Sequence, residues 1–374
     1  MKLRDFKLER YFARHEFNAP YLLCCSDCES FSVKDILALG GEGAYESFLD
    51  LRLAYTESPG SPELRQSIAA LYRNMGAGDV LVTSGAEEAI FIFMNIALDR
   101  GDHAIVQYPC YQSLFEVARA IGCQITKWEA REENGWEPDP EILAKSIKDN
   151  TRAIIINSPH NPTGYLMPRE KLACIVELAR SRDILLFSDE VYRFLEYNEP
   201  DRPESACDIY ENAVSLGVMS KTYGLAGLRI GWIATKNAGI YKKMAAFKDY
   251  TSICNSAPSE FLATLALKHR DLLVRRNLGI IRDNLAVLDR FFDRYAGFFS
   301  WQRPKAGPIA FPSIRWDGHV EDFCTDLVHS KGVLLLPGNY FDFGNRNFRI
   351  GLGRKNMPRC VERLEEYIRE KLKP

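Results

Sequence analysis

The feature that most narrows the possible folds is an alternation running from about residue 80 to residue 234. Short aliphatic or β-branched runs at 80–83, 104–107, 153–156, 184–187 and 214–216 each end in a polar tip, and the tips lead into stretches of helical period. Largely apolar runs of that length suit strands buried on both faces, and strands separated by helices join as a mostly parallel sheet. The chain is therefore read as an α/β protein. In open sheets of this class ligands sit beyond the carboxyl ends of the strands, so each tip is a candidate piece of one site.

The last tip carries the most distinctive chemistry. Ser220-Lys221-Thr222-Tyr223-Gly224-Leu225-Ala226-Gly227-Leu228-Arg229-Ile230-Gly231-Trp232 places a lysine at the mouth of a buried strand and an arginine before a second apolar run ending at Ala234. Apolar neighbours and a nearby second cation are expected to lower the lysine pKa, which makes a neutral amine available for imine formation. The first tip, Thr83-Ser84-Gly85-Ala86-Glu87, sets Ser84 and Glu87 at capping-box spacing ahead of an apolar helix. A small-residue helix start also offers free N–H groups and a favourable dipole to a phosphate. Tyr111 closes the second tip with an aromatic, and Asn161 sits in the turn 157–164, where its neighbour His160 is read as a turn residue. In Ser188-Asp189-Glu190-Val191-Tyr192 an acid follows a buried strand directly and needs a cationic partner.

Composition excludes more than it assigns. The chain has 374 residues and a formal charge of -2, so no electrostatic excess draws it to nucleic acid or to an anionic membrane, and a small-molecule substrate is expected. Residues 1–10 lack the apolar core of a signal peptide and no apolar run reaches the length of a membrane span, so the expected location is the cytoplasm. Ten scattered cysteines are expected to be free thiols, several of them buried. The one cluster, Cys24-Cys25-x-x-Cys28, lacks a second ligand pair, and no metal site is expected.

The string from Ser220 to Trp232 resembles the lysine motif of the class I/II aminotransferases, the fold type I enzymes that use pyridoxal 5'-phosphate. That resemblance implies a mostly parallel seven-stranded sheet in a large domain, residues 46–270, with residues 1–45 and 271–374 forming a smaller α/β domain. It implies that Lys221 holds the cofactor as a Schiff base and then serves as general base and acid, with Ser220 beside it and Arg229 on the phosphate. Gly85, Ala86 and Glu87 match the phosphate-binding turn, Tyr111 the aromatic stacked on the pyridine ring, and Asn161, in Asn-Pro-Thr-Gly, the partner of the ring's phenolic oxygen at the substrate side. Asp189 matches the acid on the pyridine nitrogen, which keeps the ring an electron sink, and Tyr192 the tyrosine that bonds the ring oxygen. Arg349, in Phe348-Arg349-Ile350, matches the arginine that grips the α-carboxylate of an amino acid. Tyr55, ahead of the Pro59-Gly60 turn, matches the tyrosine that reaches the neighbouring subunit's phosphate, which implies a homodimer.

The implied reaction is transfer of an amino group between an amino acid and a 2-oxo acid. One departure stands against a simple transfer of that activity: Ser26-Asp27-Cys28-Glu29-Ser30 occupies the place where the family usually carries a Gly-x-Pro loop over the substrate. The same pocket then also admits a lyase, an oxidase or a cyclase similar to capreomycidine synthase. A non-catalytic regulator on this fold would need a basic helix-turn-helix head, which the residues before Tyr55 do not resemble. Around the core, helices are expected over 32–39, from Pro62, over 272–295 and over 358–372, with strands near 332–338 and 347–352.

Overall fold

The computed structural model describes residues 2–371 and resolves the alternation into a seven-stranded sheet. With β1 the short strand Tyr21–Leu22, the sheet strands are β2 (Val80–Thr83), β3 (His103–Tyr108), β4 (Gln124–Glu129), β5 (Thr151–Asn157), β6 (Leu185–Asp189), β7 (Ala213–Val218) and β8 (Gly231–Ala234). Their spatial order is β2-β8-β7-β6-β5-β3-β4. The five strands from β4 across to β7 are mutually parallel, and β8 is antiparallel to both β7 and β2. Two reversals restore direction, so β2 points the same way as β7. The carboxyl ends of β2, β3, β5, β6 and β7 and the amino end of β8 therefore share one edge. From β3 the chain builds outward first to β4 and then, on the other side, to β5, and such a reversal leaves a crevice at that edge.

Every residue of β2, β3, β7 and β8 is buried, as unbroken apolar runs require. Burying one Val, Leu or Ile side chain stabilises by about 1.5–3 kcal/mol, which makes these strands the fixed frame of the molecule. The polar His103 enters β3 with partners: its two ring nitrogens lie 2.7 and 2.8 Å from the hydroxyls of Thr151 and Thr126. Strand β4 lies at the sheet edge, where only Trp128 is buried, and its mixed sequence Gln-Ile-Thr-Lys-Trp-Glu does not announce it.

The first helices are α1 (Lys7–His15), α2 (Val33–Leu39), α3 (Ala44–Leu49), α4 (Pro62–Ala69) and α5 (Ala86–Ala97). A reciprocal cap starts α2: the Ser32 hydroxyl accepts from Asp35 N–H at 3.1 Å, and the Asp35 carboxylate accepts from Ser32 N–H at 2.8 Å. Pro62 stands at the first turn of α4. The capping box expected for α5 from Ser84 and Glu87 is not formed. The helix begins one residue later, on Gly85, so its third position is Glu88, whose carboxylate accepts Ser84 N–H at 2.5 Å. Glu87 turns instead to the Ser113 hydroxyl, 3.2 Å away.

The long helix Arg270–Arg294 and the final helix Met357–Lys371 fall where their apolar stripes indicated, and Leu372 lies outside the described residues. Strand β1 pairs in parallel with Val333–Leu334, and Gly351 N–H donates to the Leu23 carbonyl at 2.8 Å. The amino-terminal segment is thereby stitched to the carboxyl-terminal part, while Ile36 and Leu37 of α2 share an apolar cluster with Leu64, Ile68 and Leu267. All ten cysteines are unpaired, most of them buried. Among the described residues no helix is long and apolar enough to cross a membrane.

Candidate active site

At the shared strand edge lies a cavity of about 440 Å³. Its wall is drawn from all five tips: Ala86 and Glu87 after β2, Tyr111 after β3, Asn161 after β5, Asp189 and Tyr192 at β6, and Ser220 and Lys221 after β7. Arg229, which precedes β8, and Arg349, on the strand Phe348–Gly351, join it. Of the residues singled out by sequence, Gly85 lies immediately behind Arg229, and Tyr55 alone stands away from the site, 90% exposed on the surface of its own chain. His160 is buried in its turn against the Thr163 hydroxyl at 2.7 Å and does not line the cavity.

The loop that carries Lys221 is pinned at several points. Met219 N–H donates to the Ile230 carbonyl and Leu225 N–H to the Met219 carbonyl, each at 3.0 Å, and Asn277 Nδ2 donates to the Thr222 carbonyl at 2.8 Å. The amine itself donates to the Ser26 hydroxyl at 2.9 Å. Ser26 belongs to the atypical loop, and that loop is equally fixed. Glu29 N–H donates to the Gly353 carbonyl at 2.8 Å, Arg354 Nη2 stands 2.9 Å from each Asp27 oxygen, and a Cβ on Gly353 would stand 2.2 Å from the Asp27 carbonyl oxygen. The residues that replace Gly-x-Pro therefore aim a hydroxyl at the lysine.

A second lysine is more deeply buried. Lys248 donates to the Ser58 carbonyl and, at 2.9 Å, to Asn255 Oδ1, and burial lowers its pKa. Both acceptors are outside the cavity, so this amine is occupied elsewhere.

Two arginines supply fixed positive charge. Arg229 adopts φ +50°, a region that costs a non-glycine residue about 1 kcal/mol or more, and its Nη1 donates to Ser220 Oγ at 3.4 Å and to the Ala226 carbonyl at 3.2 Å. Gly85 makes room for it. With φ +86°, it has a conformation that a side chain would resist, and a Cβ there would stand 2.5 Å from Arg229 Nη2. The guanidinium consequently lies beside the amino end of α5, where backbone N–H groups and the helix dipole already favour an anion. Arg349 is 2% exposed and donates from Nε to the Cys24 carbonyl at 3.1 Å and from Nη1 to Asn161 Oδ1 at 3.2 Å. Among the described residues no carboxylate lies within 4.0 Å of it, so a buried cation has only neutral partners.

Asp189 presents the opposite case. Burial pushes its carboxyl up to about 7, opposed by the Val191 N–H it accepts at 3.2 Å and by the charge of Lys221. A cation placed against it would restore the ionised form. Tyr192, 1% exposed, has a hydroxyl with no hydrogen-bond partner, and such a group is normally satisfied. A flat cationic ring with a polar substituent and a phosphate would meet all three demands: Asp189 at the ring nitrogen, Tyr192 at the substituent, and Arg229, Ser220 and the α5 amino end at the phosphate. The residues present fit the cofactor that the resemblance implies.

The amino-terminal helix is the part of the site that motif reading misses. Leu8, Glu9, Phe12 and Glu16 of α1 and its end face the cavity, joined by Cys25, Ser26 and Asp27. Tyr111 Oη donates to Glu9 Oε1 at 3.1 Å, and the Tyr111 ring lies 4.9 Å, centroid to centroid, from Phe6. The recoverable signal is the helical spacing of Leu8, Tyr11 and Phe12 among charges; the contact itself joins residues 102 apart. A second groove, about 570 Å³, lies on the other side of Glu87 and is mainly apolar, with neither Lys221 nor either of the site's arginines in its wall.

Comparison with known proteins points the same way. The family model for aminotransferase class I and II matches residues 49–364. Capreomycidine synthase of Streptomyces vinaceus is 30% identical over 371 residues, 98% of this chain and 93% of that protein. Among solved structures, a PLP-dependent aminotransferase from Streptococcus suis 89-1591 superposes with a TM-score of 0.94 at 33% identity over the full length of both chains. The PLP-dependent cyclase OrfR superposes with a TM-score of 0.91 at 29% identity, covering 99% of this chain and 98% of that one.

Proposed function

The chain belongs to the aminotransferase class I and II family, whose cofactor is pyridoxal 5'-phosphate, and we propose that it transfers the amino group of an amino acid to a 2-oxo acid. The observation that carries this reading is the convergence of Lys221, Asp189 and Arg349 on one cavity, three groups from distant parts of the chain with complementary tasks. When bound, the cofactor supplies an electron sink for the pair released at the substrate's α carbon. In this reading Asp189 holds a proton at the ring nitrogen, and Tyr192 donates to the ring oxygen with Asn161 beside it. Arg229, Ser220 and residues 85–87 take the phosphate.

Arg349 receives the α-carboxylate through its fork, which fixes the α carbon relative to Lys221. The Lys221 amine then takes the α proton and returns one, as general base and acid. The Ser26 hydroxyl gives that amine a defined resting place between the two transfers. Helix α1 covers the opening and limits access of water.

A second reading keeps the cofactor but ends in elimination, oxidation or ring closure. What favours it is the Ser26–Lys221 contact, together with likeness to a capreomycidine synthase. One experiment separates them. Loaded protein given an amino acid and no acceptor is expected to release one equivalent of 2-oxo acid per chain and stop. Continuous release of ammonia, peroxide or a cyclic product would replace aminotransfer by the second reading.

The same proposal divides the chain into a large domain, 46–270, and a small one, 1–45 with 271–374, with α2 lying across the boundary. It also includes a cytoplasmic homodimer. Tyr55 and Tyr250, each 90% exposed, together with Leu53, are apolar surface suited to a second copy. Light scattering should give twice the chain mass; a monomer at micromolar concentration would remove Tyr55 from the site.

A further inference from the structure

Helix α1 brings two carboxylates to the cavity that the proposed roles leave unmatched. In that assignment Asp189, Arg229 and Arg349 each meet an opposite charge on the cofactor or the α-carboxylate, and Asp27 is neutralised by Arg354 at 2.9 Å. Glu9 and Glu16 have no such partner: among the described residues no lysine, arginine or histidine nitrogen lies within 4.0 Å of either carboxylate. Glu9 accepts only the Tyr111 hydroxyl, and Glu16 is half-buried. Burial, then repulsion from Asp27 and Glu9, raises the Glu16 carboxyl above the usual range, and the more distant charges of Arg354 and Lys221 offset this only in part.

That the cavity holds a ligand does not depend on these acids. It is supported by the sealed, unpartnered hydroxyl of Tyr192 and by the buried guanidinium of Arg349, which has no carboxylate within 4.0 Å among the described residues. A ligand anchored there by its carboxylate would extend under α1. A dicarboxylic amino acid would add a further negative charge, and a neutral one would leave Glu9 and Glu16 repelling each other. A cationic side chain would relieve both.

We propose that the substrate is an α-amino acid whose side chain ends in a guanidinium or ammonium group, received by Glu9 and Glu16 while Arg349 holds the α-carboxylate. This rests on the cavity being the cofactor and substrate site. The test is a titration of the cofactor-loaded full chain followed by its visible spectrum, with L-arginine, L-lysine and L-norleucine, which is lysine without its terminal amine, and with L-glutamate. Half-saturation is expected at least about tenfold lower for arginine or lysine than for norleucine, the effect of one charge-assisted hydrogen bond, and weakest for glutamate. The tighter of the two cationic ligands identifies the head group. Glu16→Gln should weaken the cationic ligand about tenfold and leave norleucine within twofold; Glu9→Gln gives the same comparison if the first variant does not fold. Norleucine or glutamate binding as tightly as both cationic amino acids would overturn the substrate class while leaving the cofactor reading intact. A spectrum that no amino acid changes would overturn the cofactor reading, and this proposal with it.

Discussion

Lys221→Ala protein is expected to lose about 10⁴-fold or more in kcat and to show no visible absorbance band after incubation with pyridoxal 5'-phosphate and dialysis. General acid–base catalysis alone contributes about 10²–10⁴-fold, and in the proposed role the same amine also tethers the cofactor, so its loss would remove two functions at once. Folding should survive. The lysine's polar contact is a single hydrogen bond to Ser26 at 2.9 Å, and the loop around it is held by backbone bonds that alanine retains. Lys248 is the control, a lysine buried more deeply but turned away from the cavity and satisfied by two carbonyl oxygens. An unchanged band in Lys221→Ala protein would contradict the assignment.

Asp189→Asn is expected to lower kcat/KM by about 10²–10³-fold, the range found on removing one preorganised electrostatic partner from an active site. The amide is nearly the same size, so Tyr192 and the β6 backbone need not move, but it holds no charge to keep a proton on the ring nitrogen. A second readout follows from burial. The folded-state carboxyl is pushed up to about 7, whereas in the unfolded chain an aspartate titrates near ~4. Between those values the unfolded chain releases a proton that the folded chain keeps. The stability this group contributes to the cofactor-free protein is therefore present at acidic pH and lost as pH rises through that window. Thermal unfolding of cofactor-free protein from pH 5 to 8 should show a shallower fall in Asp189→Asn than in the parent, with Glu87, whose carboxyl burial also raises to about 7, supplying part of what remains. Equal slopes and equal kcat/KM would remove Asp189 from the chemistry.

The sheet was legible because its strands are buried on both faces. Val80–Thr83 and Ala213–Val218 have no exposed face to encode, so their letters are nearly all apolar, and each ends where a polar tip begins. Strand β4 escaped because it is the edge: four of its six residues are charged or polar, and only Trp128 is buried. The five tips were legible through motif likeness, which carries the order of Gly85, Tyr111, Asn161, Asp189 and Lys221 along the chain, and the fold brings their loops to one edge. What sequence does not encode locally is the cover. Glu9, Phe12 and Glu16 reach the cavity through long-range contacts: β1 pairs with Val333–Leu334, Lys7 N–H donates to Gln112 Oε1 at 3.0 Å, and Tyr11 Oη donates to the Leu335 carbonyl at 2.8 Å. The cap of α5 failed for a different reason: Ser84 and Glu87 have the right spacing, but Gly85 at φ +86° delays the helix by one residue. The atypical loop was visible as a departure, while its consequence, a hydroxyl 2.9 Å from the lysine amine, needed coordinates.

The central claim is that one cofactor is tethered at one lysine in this cavity. Reduction of the loaded protein with borohydride, proteolysis and mass spectrometry locates the tether directly. The account predicts the cofactor's added mass on the single peptide that contains Lys221 and on no other. Label on the Lys248 peptide, or no labelled lysine, would contradict it.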